Sequence, residues 1–146
     1  MASGSKEEEE LRKLSMEIRY FEQTAEGLQQ RLSMVSAAVT DLSYANMTLE
    51  SVETEKENAE MLVPIGGGNY ISVKLANSDK VVVGLGAGVS VEKTLPEAKA
   101  IVKERIDELE KTRVSAQQQF DQIAERISQD RNRMESMLAG LRAGKQ

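Results

Sequence analysis

The sequence predicts a mainly α-helical protein of the α+β class: a long antiparallel coiled-coil hairpin with two β-hairpins at its centre. Two observations lead to this prediction. Apolar residues recur at alternating spacings of three and four near both ends of the chain, and the apolar period changes to two between these stretches. A stripe with a period of about 3.5 residues is too narrow for a globular core and suits one facing helix, so the arms are expected to pack together.

The first helical arm is predicted over residues 11–58, after an acidic segment, residues 1–10, that is interpreted as a flexible, solvated tail. The arm contains no proline and one glycine, and it is rich in residues that favour helices. Its apolar stripe consists of Leu11, Leu14, Ile18, Phe21, Ala25, Leu28, Leu32, Val35, Val39 and Leu42.

The central segment, residues 59–94, is predicted to form four short strands in two hairpins. Its apolar residues alternate with polar or small ones, which is typical of strands with one buried face. Turns are predicted at 66–69, at Asn77-Ser78-Asp79 and at 84–88, where Gly and Asn cluster. Pro64 is expected at an edge or a bulge of the first strand, because proline cannot donate to a strand ladder.

The second helical arm, residues 95–146, is predicted to begin at a capping box in which Thr94 caps the helix and Glu97 reaches back. Pro96 is tolerated in the first turn because its missing N–H would have no helical acceptor. Two polar residues, Arg113 and Asp130, fall on the stripe, where polar groups usually set the register of a coiled coil. The whole stripe is Ile106, Leu109, Arg113, Ala116, Phe120, Ile123, Ile127, Asp130, Met134, Met137 and Leu141.

The composition excludes many kinds of site. The chain has no Cys and no His, which removes disulfides, thiolate or imidazole metal sites and Ser–His or Cys–His nucleophiles. A net charge of −5 argues against nucleic acid as a partner. No apolar run reaches the roughly 20 residues that span a bilayer, and no signal peptide is visible, so a cytoplasmic protein without a membrane partner is expected.

The glycines at positions 84, 86 and 88 are interpreted as hairpin turns, since a dinucleotide-binding fingerprint would need a third glycine at position 89, which is Val. No phosphate-binding loop of the Gly-Lys-Ser or Gly-Lys-Thr type is present. We therefore expect no catalytic residue, no metal and no cofactor, and we do not expect an enzyme.

The predicted hairpin region is too small to be stable alone, because units below about 40 residues rarely bury enough surface without a metal, a disulfide or a partner. Its apolar faces and unpaired strand edges would promote aggregation unless another chain covered them. We therefore predict oligomerisation through the strands. The expected subunit interface comprises Ile71, Val73, Leu75, Val81, Val83, Leu85, Val89 and Val91.

The ends of the two arms are predicted to lie together, because the chain reverses between them. Met16 and Leu138 depart from the seam rhythm, and helix ends without anchors tend to fray and expose flexible apolar side chains. This cluster is the candidate site for binding nonnative proteins. It comprises Leu11, Leu14, Met16, Ile18, Met134, Met137, Leu138 and Leu141.

The stretch Leu62-Val63-Pro64-Ile65-Gly66-Gly67-Gly68-Asn69-Tyr70, followed by Val81 to Val89 and by Val91-Glu92-Lys93, resembles the archaeal type of prefoldin alpha subunit. The resemblance extends over essentially the whole chain. It implies hairpins that complete an intersubunit β-barrel in a hexamer of two alpha and four beta subunits. It also implies an ATP-independent chaperone that holds nonnative polypeptides with its coiled-coil tips and delivers them to a group II chaperonin.

A structural role is the main alternative. In that interpretation the chain is a coiled-coil adaptor or spacer that oligomerises through its β-hairpins and binds one defined partner. Suppression of the aggregation of an unrelated unfolding protein would distinguish the chaperone from the adaptor.

Overall fold

The computed structural model describes residues 2–77 and 79–144. Ser78 of the second predicted turn, Met1 and residues 145–146 lie outside this part. The elements follow in the order α1 (Ala2–Thr54), β1 (Glu60–Gly66), β2 (Asn69–Lys74), β3 (Lys80–Gly86), β4 (Val89–Thr94) and α2 (Leu95–Gly144). The predicted fold class of two long helices around two β-hairpins is confirmed.

Helix α1 begins and ends earlier than the sequence predicts. It starts at Ala2, so the segment expected to be a flexible tail is helical from that residue, and Glu7 to Glu10 lie within the first turns, where acidic side chains favour the helix dipole. The helix ends at Thr54 rather than near Asn58. Asn58 has a φ of +67°, a left-handed conformation that breaks a helix and that Asn tolerates better than most residues.

Helix α2 begins at the predicted capping box. The Glu97 backbone N–H donates to Thr94 Oγ1 at 3.3 Å, and the Thr94 backbone N–H donates to Glu97 Oε2 at 3.4 Å. Two donors that would lack helical acceptors are thereby satisfied. Downstream of this box the apolar rhythm starts before the predicted first seam residue, since Leu95, Ala98 and Val102 are buried.

The chain divides into two compact units. One, the terminal unit, combines Met1–Ala37 with Lys111–Gln146, and the other, the hairpin unit, is Ala38–Glu110. The terminal unit buries its seam residues between two helix segments; the buried apolar members are Leu14, Ile18, Val35, Ala116 and Ile127. In the hairpin unit, the buried residues are Val83, Leu95, Ala98 and Val102.

An ion pair joins the two helix segments of the hairpin unit. Lys99 Nζ donates to Glu53 Oε2 at 2.6 Å. This hydrogen bond to Glu53 raises the pKa of the Lys99 ammonium group above its ordinary value, so the pair is fully formed at neutral pH and is lost only as pH rises through that raised pKa. Because both side chains are partly exposed, the pair orients the helices more than it stabilises them.

The two β-hairpins are structural repeats. Each residue of the second hairpin corresponds to the residue numbered twenty lower in the first, so Lys80↔Thr94 repeats Glu60↔Lys74. Both ladders are antiparallel, and each shifts register at the same place, between Pro64 and Gly66 and between Gly84 and Gly86. The predicted bulge at Pro64 is therefore present. Each hairpin forms its own two-stranded sheet.

The two hairpin turns differ at one position. Gly67 and Gly68 have φ values of +58° and +79°, as a two-residue type I′ turn requires, and Ala87 and Gly88 adopt +52° and +76°. An alanine in this left-handed region is strained by about 1 kcal/mol, because its Cβ crowds the following carbonyl.

We therefore expect Ala87→Asn to raise the free energy of unfolding by about 0.5–1 kcal/mol, since Asn-Gly is the preferred type I′ pair. Gly67→Ala, the matched change in the other hairpin, should lower it by a similar amount. Urea denaturation of both variants against the parent chain measures the difference. Destabilisation by Ala87→Asn would contradict the assigned turn.

Candidate functional site

The terminal unit brings the predicted binding residues together in one surface, which we call the terminal surface: Leu11, Leu14, Met16, Ile18, Met134, Met137, Leu138 and Leu141. Its members differ in exposure. Leu14 and Ile18 are buried in the seam, whereas Met16 is 67% exposed and Leu138 is 40% exposed. The other four are half-buried. The departure of Met16 and Leu138 from the heptad thus corresponds to exposure in the structure.

Tyr20 is an exposed apolar residue of this surface that the sequence prediction missed. It lies one helical turn after Met16, is 65% exposed, and its ring centroid is 5.7 Å from that of Phe21. The signal was available, because Tyr20 departs from the seam rhythm in the same way as Met16. Together Met16 and Tyr20 present a methionine and an aromatic ring on one helix face, two side-chain types that adapt to dissimilar apolar partners.

Two ion pairs clasp the seam beside this surface. Arg126 Nη2 lies 3.0 Å from Glu17 Oε1, and Arg131 Nη2 contacts Glu22 Oε1. The Arg126 guanidinium carbon also lies 5.9 Å from the centre of the Phe21 ring, within the range of a cation–π contact. All four charged side chains are substantially exposed, so each ion pair contributes about 0–1 kcal/mol.

The hairpin unit contains the other predicted surface, the hairpin face, which comprises Ile71, Val73, Leu75, Val81, Val83, Leu85, Val89 and Val91. Its burial decreases from the base of each hairpin to the turn. Val83 is 6% exposed, whereas Ile71, Leu85 and Val89 are about half exposed. The remaining members are half-buried. The chain itself therefore covers only the base of its strands.

The second hairpin packs against the helices of its unit more closely than the first. A groove of about 360 Å³ runs between β3 and the helices, with Leu42, Leu49, Ala98 and Val102 among its lining residues. The first hairpin leaves the equivalent side chains open: Val63 is exposed where its counterpart Val83 is buried. Leu62, Ile65 and Tyr70 are exposed as well. These apolar groups and the free strand edges lack cover from within the chain.

Catalytic and metal-binding arrangements are not found in the described part of the chain. Among residues 2–77 and 79–144, no cluster of three or more acidic side chains is placed to hold a metal ion. The helices described by the structure contain no stretch long and apolar enough to cross a membrane. The chemistry available to both surfaces is therefore apolar contact, strand pairing and surface charge.

Comparison with known proteins agrees with this geometry. The family model described as prefoldin subunit matches residues 6–139. The prefoldin subunit alpha of Methanosarcina barkeri is 40% identical over 107 residues, which cover 71% of this chain and 74% of that protein. That of Methanosarcina mazei is 33% identical over 139 residues, covering 93% and 95%.

Two solved structures share the fold. A chain of the filamentous PFD from Methanocaldococcus jannaschii superposes with a TM-score of 0.68 at 27% identity, covering 79% of this chain and 95% of that one. The prefoldin beta subunit from Thermococcus strain KS-1 superposes with a TM-score of 0.58 at 16% identity, covering 87% and 90%. At that identity the second structure supports the fold alone.

Proposed function

Because this chain belongs to the prefoldin family, we propose that it is the alpha-type subunit of a cytoplasmic, ATP-independent chaperone that holds nonnative polypeptides at its terminal surface. The observation that carries this proposal is the exposure of Met16 and Tyr20 beside a seam that buries Leu14 and Ile18. The seam keeps the helices paired, while the outer residues remain free to contact exposed apolar segments of other chains.

Holding needs several weak contacts. A single terminal surface would bind an unfolded segment weakly, since it offers only a few apolar side chains. Several such surfaces carried by one assembly raise the effective concentration for each further contact, and avidity can exceed single-site affinity by about 10² or more. Binding of the unfolded state in this way lowers the concentration of the species that aggregates. No catalytic step is required.

The hairpin face supplies the assembly in this proposal. Its open apolar side chains and free edges would pair with the hairpins of other subunits in an intersubunit β-barrel, with two alpha and four beta subunits per complex. The similar chain from Methanocaldococcus jannaschii is described as filamentous, which makes an open filament the second possible assembly. Native mass spectrometry of the chain, alone and with beta subunits, distinguishes a closed hexamer from a filament.

Delivery of the held polypeptide to a group II chaperonin completes the proposed role. The adaptor alternative shares the hairpin-mediated assembly and differs only at the terminal surface, where it requires one defined partner. Because Met16 and Tyr20 offer apolar contact without a shaped pocket or a fixed polar group, they suit many dissimilar segments better than one defined ligand.

The test is an aggregation assay with an unrelated unfolding protein. We expect Met16→Ser combined with Tyr20→Ser to reduce suppression of aggregation several-fold, because each change removes exposed apolar surface worth about 1 kcal/mol of binding. The matched control is Met34→Ser with Tyr44→Ser, on the same helix; these residues are 73% and 66% exposed, against 67% and 65% for the test pair.

The control variant should suppress aggregation as well as the parent assembly. Equal loss in both variants would place binding along the whole helix, and no suppression by the parent assembly would favour the adaptor. Native mass spectrometry of every variant verifies that the assembly is unchanged.

A further inference from the structure

Asp130 is a charged residue buried in the seam of the terminal unit. It is 6% exposed, and its Oδ1 lies 3.7 Å from Nε of Arg126 on the same helix. Its Oδ2 is buried and receives no hydrogen bond from the residues that the structure describes. A buried carboxylate oxygen without a donor has lost its hydration without compensation, which is rare in folded proteins.

The position of Asp130 in the seam follows from the two ion pairs that clasp it. Ile18 and Phe21 lie between the paired glutamates of α1, and Ile127 and Asp130 lie next to the paired arginines of α2. We infer that these four residues form one layer of the coiled coil. The charges nearest to that layer are the carboxylates of Glu17 and Glu22 and the guanidinium groups of Arg126 and Arg131, and none of them donates to Oδ2.

Beyond this layer, toward the two chain ends, little apolar burial holds the helices together. Leu14 is buried there, whereas Leu11, Met134, Met137 and Leu141 are only half-buried. On the other side of the layer the seam continues with Val35, Ala116 and Ile127, which are buried. Separation of the helix ends as far as Asp130 would return its carboxylate to water at the loss of a short, loosely packed seam.

We propose that Asp130 is a positioning residue that determines how far α1 and α2 separate at the terminal surface, and so how much apolar surface that unit offers to a client. The inference rests on the proposed function of the terminal surface. Both helices continue unbroken through this region, so the opening is a separation of intact helices. Leu14 and Ile18, buried in the closed form, then become available beside Met16.

The test replaces Asp130 by Leu and measures the separation of the helix ends. The chain has no Cys, so spin labels can be placed at Ser15→Cys with Ser136→Cys, and, as a reference pair, at Ser33→Cys with Ser115→Cys; all four serines are exposed. Labelled chains are diluted with unlabelled ones in the assembled complex. Gln129→Leu, at the exposed neighbour of Asp130, is the matched control for added apolar surface.

With the parent sequence we expect a broad distance distribution for the terminal pair, with a population at long distances, and a narrow one for the reference pair. Asp130→Leu should reduce the ratio of open to closed forms about tenfold, which corresponds to about 1.4 kcal/mol. Gln129→Leu should leave the distribution broad. A narrow parent distribution, or one that Asp130→Leu does not change, would overturn the proposal.

The same variants are compared in the aggregation assay. Asp130→Leu should require several-fold more protein than the parent for equal suppression, and Gln129→Leu should not. If Asp130→Leu closes the terminal pair and still holds clients as well as the parent, the link between separation and holding is refuted while the holding function stands. If the parent holds no client, the proposed function itself fails, whatever the distances show.

Discussion

Val83→Asp is expected to prevent assembly. Val83 is 6% exposed and faces the groove between β3 and the helices, where Leu42, Leu49 and Val102 surround it with apolar atoms. An unpaired carboxylate in that position costs about 3 kcal/mol or more, so the hairpin would leave the helices that position it. Val73→Asp should act in the same direction, because Val73 is half-buried opposite Met61 in the first hairpin.

Native mass spectrometry and light scattering, alone and with beta subunits, measure the outcome. Val82→Asp is the matched control, since Val82 neighbours Val83 on the same strand and is 72% exposed. We expect this control to assemble normally. An unchanged oligomer mass for Val83→Asp would contradict the predicted interface, and loss of assembly in Val82→Asp alone would move the interface to the opposite face of β3.

Removal of residues 1–18 and 134–146 is expected to reduce client holding by about 10-fold or more while assembly persists. The deletion removes the whole terminal surface and leaves the hairpin unit intact. Because holding by several weak sites depends on their joint contribution, loss of every site on this subunit lowers avidity by more than the affinity of one site.

The control for this truncation is a chain that lacks only residues 1–10. It loses the acidic first turns of α1 but keeps Leu11 and the rest of the terminal surface. We expect it to suppress aggregation like the full chain. If the double truncation holds clients as well as the full chain, the binding site lies elsewhere, and the exposed outer face of the first hairpin becomes the next candidate.

Much of the candidate site could be predicted from periodicity. The heptad separated seam residues such as Leu14 and Ile18 from off-seam residues such as Met16, and the structure buries the former and exposes the latter. Tyr20 was missed although it departs from the same rhythm, because attention to methionine and leucine overlooked an aromatic residue one turn away. Leu95 was missed because the seam continues upstream of the predicted first residue.

The turns and bounds depended on different information. The predicted capping box at Thr94 and Glu97 is present because capping is local, with donor and acceptor three residues apart. The start of α1 was misplaced because a run of glutamates is equally compatible with a solvated tail and with a first helical turn. Backbone conformation alone revealed that Ala87 occupies a position for which its counterpart in the first hairpin is glycine.

The sequence by itself determined the elements: a period near 3.5 specifies paired helices, alternation specifies strands, and glycine-rich turns specify hairpins, because these preferences act between near neighbours. Only the tertiary structure decided which equivalent residues are covered. Val83 is buried and Val63 exposed in hairpins of the same register, and Asp130 lies in the seam with one oxygen unpaired. Burial and hydrogen bonding of a side chain depend on residues distant in sequence, which no local pattern encodes.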